Sequence, residues 1–254
     1  MIYQISQYIK FLFRSTNQHG VHSPFVYNLV TKCFYNRKKH PDYQKISDFK
    51  KHLLLKNESL TITDLGAGSN VCKQNTRPLK HVAKYSGTTI KRAQLLYRLM
   101  NYLKIKSALE LGTSLGIATQ AMALAKDLRI TTVEGCTNTY HQAKKNLLPF
   151  KNITLVNSEF EAAINALKND TYDLIFFDGN HSKKATLKYF ESLIKSKHND
   201  SVFIFDDIYW SKDMTEAWET IKQHPEVKVT IDTFYWGFVF FRKEQEKEHF
   251  TIRC

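Results

Sequence analysis

"SALELGTSLGIATQAMALA", residues 107–125, decides how the rest of the chain is read. A short apolar strand ends at Glu110 and Leu111. Gly112 and Gly116 then allow a tight turn with close approach of a ligand, and an Ala-rich helix follows. Open α/β sheets bind ligands where a strand hands over to a helix in this way. A second glycine stretch, "TITDLGAGSN" at residues 61–70, competes for the role. It runs into "VCKQNTRPLKHVAKYSG", where Lys73, Asn75, Arg77 and Pro78 obstruct an apolar helix face. The earlier stretch therefore reads as a turn that ends a short strand or starts a lid.

Downstream of residue 107 the pattern alternates. The runs "SALEL", "ITTVE", "ITLVN", "YDLIFFD" and "SVFIFDD" have strand character, and stretches such as "GIATQAMALAKD" and "KKATLKYFESLIKSK" separate them with helical periodicity. Strands alternating with helices of this length imply parallel pairing through right-handed crossovers. "VKVTIDTF" and "WGFVFFR" have no helix between them and predict an antiparallel hairpin at the sheet edge. The expected fold is α/β: a Rossmann-like, doubly wound sheet of seven strands, mostly parallel, with a reversed C-terminal hairpin.

Upstream the chain reads as helical. Ser23 and Pro24 open a helix carrying Phe25, Val26, Leu29, Val30, Cys33 and Phe34 on one face. Ile46, Phe49, Leu53 and Leu54 mark a second helix, and a third begins near Thr89. "MIYQISQYIKFLFRS" is amphipathic, and packing on the domain is its expected role. We divide the chain into a basic, mainly helical N-terminal extension, 1–84, and a catalytic domain, 85–254.

Charge follows the same division. Residues 1–100 hold 17 Lys and Arg against 4 Asp and Glu, and residues 101–254 hold 20 against 20, so the whole net charge of +13 lies in the first part. A solvated basic face explains this as well as a polyanion site does, because no nucleic-acid module is spelled out. No run of 18 apolar residues is present, so no membrane span is expected. Four scattered cysteines without a C-x-x-C pair indicate neither zinc nor disulfides and suit a reducing cytoplasm. A homo-oligomer is compatible with this reading and not specified by it.

The spelling of the loop selects its ligand. A dinucleotide site wants G-x-G-x-x-G and amides facing pyrophosphate, whereas here the glycines read G-x-x-x-G with Glu110 just before them. A carboxylate there repels pyrophosphate and favours a ligand with an ammonium group. Glu134 closes the next strand, 24 residues after Glu110, where an acid can accept hydrogen bonds from a ribose diol.

"ALELGTSLGIAT", with "TTVEG", "YDLIFFDGNHS" and "FIFDDIYWS", resembles the class I S-adenosylmethionine-dependent methyltransferases, in particular the small-molecule O-methyltransferases of the catechol and macrolide-sugar type. The likeness covers roughly residues 85–242. It implies S-adenosylmethionine as donor, its methionine part embraced by Gly112, Thr113, Ser114 and Gly116. Glu134 would bind the ribose, and Glu159 and Phe160 would flank the adenine, although "VNSEFEAA" departs there from the family's small-residue spelling.

Asp178, Asp206 and Asp207 stand at the mouths of the fourth and fifth strands of the run, with His181 three residues beyond Asp178. Converging carboxylates are costly unless a cation lies between them, so a divalent ion such as Mg2+ is expected on Asp178, Asp206 and Asp207. The resemblance gives the same three positions as metal ligands and His181 as general base; the catechol branch has Asn where Asp207 stands. Helix capping by Asp206 or Asp207 and a surface role for His181 compete with this. Tyr209, Trp210, Tyr235 and Trp236 are placed to wall an acceptor pocket, but packing is the commoner fate of such residues. O-methylation of a small hydroxylated acceptor is thus the leading function. RNA methylation through the basic segment and a non-catalytic binding protein on the same fold are the alternatives.

Overall fold

The computed structural model describes residues 2–63 and 76–254, so "DLGAGSN" and its sequel to Asn75 lie outside the described residues. In chain order the N-terminal part contains α1 (Ile2–Arg14), α2 (Pro24–Leu29) with a π-helical turn over Val30–Phe34, and α3 (Asp42–Leu54). The short strands β1 (Ser59–Thr61) and β2 (Thr76–Pro78) follow, then α4 (Leu79–Tyr85) and α5 (Ile90–Leu103). Alternation begins with β3 (Ser107–Leu111), α6 (Ile117–Ala123), β4 (Arg129–Glu134), α7 (Thr137–Leu147), β5 (Ile153–Asn157) and α8 (Phe160–Leu167). It continues with β6 (Leu174–Phe177), α9 (Lys183–Leu193), β7 (Val202–Asp206) and α10 (Lys212–Gln223), and ends in β8 (Val229–Asp232), β9 (Trp236–Phe240) and β10 (Glu248–Thr251). The expected α/β class holds.

Two compact units divide this chain: residues 36–163, and residues 1–35 with 164–254. In the first, β4 pairs in parallel with β3 on one side and β5 on the other, which aligns Glu110 with Thr132 and Glu134 with Asn157. Thr89 caps α5 by accepting the Arg92 N–H at 3.3 Å. Ile46 and Leu53 of α3, Leu79 and Val82 of α4, Ala93 and Tyr97 of α5 and Ile117 and Ala121 of α6 form one core, and Leu115 of the glycine loop is part of it. Apolar spacing thus makes the helices, and the loop is pinned by the same burial. β1 and β2 pair antiparallel, Ser59 opposite Pro78, so a strand and not a helix resumes after the first glycine stretch.

In the second unit the strand order is β10-β8-β9-β7-β6. β6 and β7 run parallel, and β9 is antiparallel to both β7 and β8. The expected hairpin forms, but its place is corrected: β10 pairs in parallel with β8, so β10 and not the hairpin makes the edge. β10 brings the strands from β3 onward to eight, one above expectation. "EHFT" escaped notice because Glu248 and His249 are exposed, as edge positions permit, and supply no apolar alternation. Every residue of β7, β8 and β9 is buried, as their continuous apolar spelling requires. Ser23 caps α2, accepting the Val26 N–H at 3.4 Å, and Pro24 takes the first helical position. Among the described residues no helix is long and apolar enough to cross a membrane.

α1 packs on its unit as expected, and does so through the face opposite Ile2, Ile5, Ile9 and Phe13. Tyr3 Oη donates to Thr215 Oγ1 at 2.9 Å and Gln4 Nε2 to the Trp210 carbonyl at 3.4 Å, while Ile2 and Phe13 stay 87% exposed.

Gly237 in β9 lies against the Trp218 ring of α10, and a Cβ there would come within 2.6 Å of the indole. Gly237→Ala is therefore expected to cost about 1–3 kcal/mol through overpacking. The urea unfolding midpoint checks this, and an unchanged midpoint would refute the close approach.

Candidate donor loop and carboxylate cluster

The glycine loop in residues 36–163 is held from beneath by a chain of hydroxyls. Thr119 Oγ1 donates to Glu110 Oε2 at 2.5 Å and Thr132 Oγ1 donates to the same oxygen at 2.6 Å. Thr113 Oγ1 meets Thr132 Oγ1 at 2.7 Å. Glu110 is completely buried, and its Oε1 has no hydrogen-bond partner among the described residues. Burial pushes its carboxyl up to about 7, the nearby Glu134 charge adds to the rise, and the two hydroxyl donors oppose it. Glu110 and Thr113 thus lie under the loop, where neither presents surface to a ligand, although the sequence placed both at its mouth.

Gly116 also works from below. Its φ is +84°, and a Cβ would meet the Leu147 side chain of α7 at 2.9 Å, so only glycine lets α7 close on the turn. Ser114, at φ +50°, is held in the left-handed region by Glu134, whose Oε2 accepts the Ser114 N–H at 2.9 Å. Glu134 Oε1 accepts the Cys136 N–H at 2.9 Å. Burial raises the Glu134 pKa, and the amides of Cys136, Ser114 and Gly135 oppose that. Three amides on a carboxylate with about four lone-pair sites leave it room to accept one further hydroxyl, such as that of a ribose. Gly112 and Ser114 are the loop residues that keep some exposure. After β5, Glu159 is exposed and Phe160 half-buried.

The first glycine stretch has a described border on this site. Asn138 Nδ2 donates to the Thr61 carbonyl at 2.9 Å and the Thr63 N–H to Cys136 Sγ at 3.3 Å, so residues 61–63 dock at the start of α7, two residues from Glu134.

In the second unit, Asp178, His181 and Asp206 bring one ligand atom each to within 4.8 Å of one another. Asp178 follows β6, His181 precedes α9, and Asp206 ends β7, so sheet register and a short loop create the cluster. Asp206 Oδ1 accepts the Trp236 indole N–H at 2.6 Å, which fixes the carboxylate. Asp207 is not a member. At φ +52° it turns toward a cavity of about 390 Å³ lined also by Gln4, Tyr8, Tyr209, Trp210, Phe234 and Tyr235. Trp210 joins the two, its ring 6.5 Å from that of His181. Of the four aromatic residues considered from the sequence, Tyr209, Trp210 and Tyr235 line the cavity, and Trp236 is buried core that serves Asp206. Gln4 and Tyr8 carried no local signal, since only folding brings residues some 200 positions apart together. Tyr209 Oη donates to Asp232 Oδ2 at 2.5 Å and stacks on Phe234 with ring centroids 5.2 Å apart. Burial, then the Asp232 charge, drives the Tyr209 hydroxyl well above its ordinary pKa and keeps it a neutral donor.

The alternation of strands and helices around the strand-end glycine loop is the Rossmann-like fold of the solved methyltransferases to which this chain is similar. Residues 109–208 match a family model described as a methyltransferase domain, so the resemblance drawn from the sequence is borne out. The O-methyltransferase of Bacillus cereus, solved with S-adenosylhomocysteine, is 16% identical over 83% of this chain and 95% of its own, with a TM-score of 0.53. A Podospora anserina methyltransferase bound to S-adenosylhomocysteine is 12% identical over 88% and 98%, with a TM-score of 0.60. A Streptomyces achromogenes O-methyltransferase of tomaymycin synthesis, in complex with S-adenosylmethionine, is 13% identical over 84% and 95%, with a TM-score of 0.56. No curated protein matches the chain in sequence.

Because the Glu110 pKa is raised in the fold, the unfolded chain loses this proton first. Stability from this group therefore falls as pH rises from about 4.5 to about 7, by on the order of 3 kcal/mol, and then levels. Glu110→Gln should flatten that stretch of the melting-temperature profile. A slope identical in parent and variant would show that Glu110 is ionised throughout.

Proposed function

We infer that this chain transfers the methyl group of S-adenosylmethionine to the hydroxyl of a small acceptor, with a divalent ion assisting. The observation that carries the acceptor half is the convergence of Asp178, His181 and Asp206 beside an aromatic-walled cavity. On the donor side, Gly112 and Ser114 would line the methionine part, Glu134 would accept from a ribose hydroxyl, and Glu159 and Phe160 would stand beside the adenine. Glu110, Thr113 and Gly116 act as positioning residues for that loop.

In the transfer the acceptor oxygen forms a bond to the methyl carbon as the carbon–sulfur bond breaks, and the electron pair stays on sulfur. The hydroxyl proton must leave, and His181 is the base that receives it. Asp178 and Asp206 then stabilise the imidazolium. Asp178 and Asp206 would also hold a divalent cation, their oxygen donors suiting magnesium or manganese, with the His181 imidazole left unligated to act as the base. Such an ion, when bound, supplies Lewis acidity that lowers the pKa of a coordinated hydroxyl. Cys33, Cys136 and Cys254 are present as thiols, which fits a cytoplasmic setting.

Calorimetric titration with S-adenosylhomocysteine tests the donor half: binding is expected, and Glu134→Ala should weaken it roughly 10- to 100-fold through the lost hydroxyl contact. An absence of binding to the parent protein would overturn the proposal. Once an acceptor is in hand, His181→Ala is expected to lower kcat roughly 100-fold or more. Rate measurements with EDTA, magnesium, manganese and zinc decide whether the cluster works with an ion.

A further inference from the structure

Helix α1 is mounted inside out. Its large apolar side chains at Ile2, Ile5, Ile9 and Phe13 are 87%, 55%, 50% and 87% exposed. Their spacing of three, four and four residues puts them on one stripe. The opposite face is fastened to the unit by polar groups: Tyr3 to Thr215, Gln4 to the Trp210 carbonyl, and Arg14, whose Nη2 donates to Tyr209 Oη at 3.2 Å. Phe11, 3% exposed, adds one apolar anchor against Phe234. Rotating the helix to bury the stripe would break all three hydrogen bonds, so the apolar face is held outward.

Charge and position both bear on what covers it. The helix contains Lys10 and Arg14 and no acid, and residues 1–35 hold three Lys and Arg and no acidic residue. A parallel pairing of two α1 helices would set those cations against each other, and an antiparallel pairing would offer them no carboxylate. A stripe of four side chains on a helix about 20 Å long also falls well short of the roughly 800 Å² per partner that a stable dimer buries. An anionic lipid surface meets both features, since the stripe enters the acyl boundary while Lys10, exposed beside Ile9, meets headgroups. The stripe further runs to the mouth of the cavity, because Ile5 and Tyr8 line it and Tyr235, 51% exposed, faces solvent on the same rim.

We propose that α1 docks this protein on an anionic bilayer surface, and that the cavity at its foot takes a hydroxyl-bearing acceptor with an apolar body drawn from that bilayer. The second clause rests on the methyltransferase reading, and the first does not.

The test uses the full chain and sedimentation with vesicles of phosphatidylcholine, alone or with roughly a third phosphatidylglycerol. Binding is expected to the anionic vesicles only, weakened by salt. The triple variant Ile2→Ser, Ile9→Ser, Phe13→Ser should bind at least about 10-fold more weakly while keeping the parent's melting temperature and affinity for S-adenosylhomocysteine. Indifference of the parent to both vesicles, or a triple variant that binds as well as the parent, overturns the docking. So does a parent dimer that light scattering shows to depend on the same three residues. For the acceptor, thermal shifts with phenol and a long-chain alkylphenol are compared. Stabilisation at much lower concentration by the long-chain probe, lost in Trp210→Ala, is expected, and equal response to both refutes the apolar body. Vesicle binding without S-adenosylhomocysteine binding would remove the methyltransferase reading alone, and the converse would remove the docking alone.

Discussion

A buried carboxylate that accepts two hydroxyls sets the shape of the donor loop. Glu110 sits at the end of β3 with no solvent contact, and Thr119 from α6 and Thr132 from β4 both donate to one of its oxygens. Three elements are thereby tied at one atom, directly below Gly112–Gly116. A buried polar group left without partners costs more than a satisfied one returns, so the surrounding threonines are conditions of the fold. Above the loop, Glu134 repeats the device with amides, catching the Ser114 N–H where the backbone is left-handed. The loop is gripped between an inner acid that shapes it and an outer acid that amides hold in place.

The second unit uses aromatic packing to the same end. Phe234, at φ +74°, sits between Tyr8, Phe11, Tyr209 and Tyr235, with ring centroids 4.8–5.5 Å apart. A non-glycine residue in that region of backbone space is strained, and the surrounding rings hold it there. Its position walls the cavity, and Asp232, which accepts both the Phe234 N–H and the Tyr209 hydroxyl, locks the turn. Cavity shape and carboxylate cluster are linked through Trp210 and through Trp236, which orients Asp206 from within the core.

Much of this was legible in the residues. Strand-forming runs from Ser107 to Phe240, the helices between them, the caps at Ser23 and Thr89, and the choice of the second glycine stretch over the first follow from local periodicity and turn chemistry. These depend on near neighbours in the chain, and near neighbours are what a sequence displays. The grouping of Asp178 with Asp206 also follows, because parallel strands end in register.

Tertiary structure alone decided which face of each residue is used. Glu110 and Thr113 turned inward because the hydroxyls that satisfy them come from α6 and β4. His181 and not Asp207 completed the cluster because the left-handed backbone at Asp207 turns its side chain toward the cavity. β10 became an edge strand because β8 offered it an unpaired ladder, and α1 presented its apolar stripe outward because Thr215, Trp210 and Tyr209, some 200 residues away, offered its polar face hydrogen bonds. Periodicity says that a helix has two faces, but the partner that meets one of them is chosen by the free energy of contacts between distant segments, which spacing along the chain does not encode.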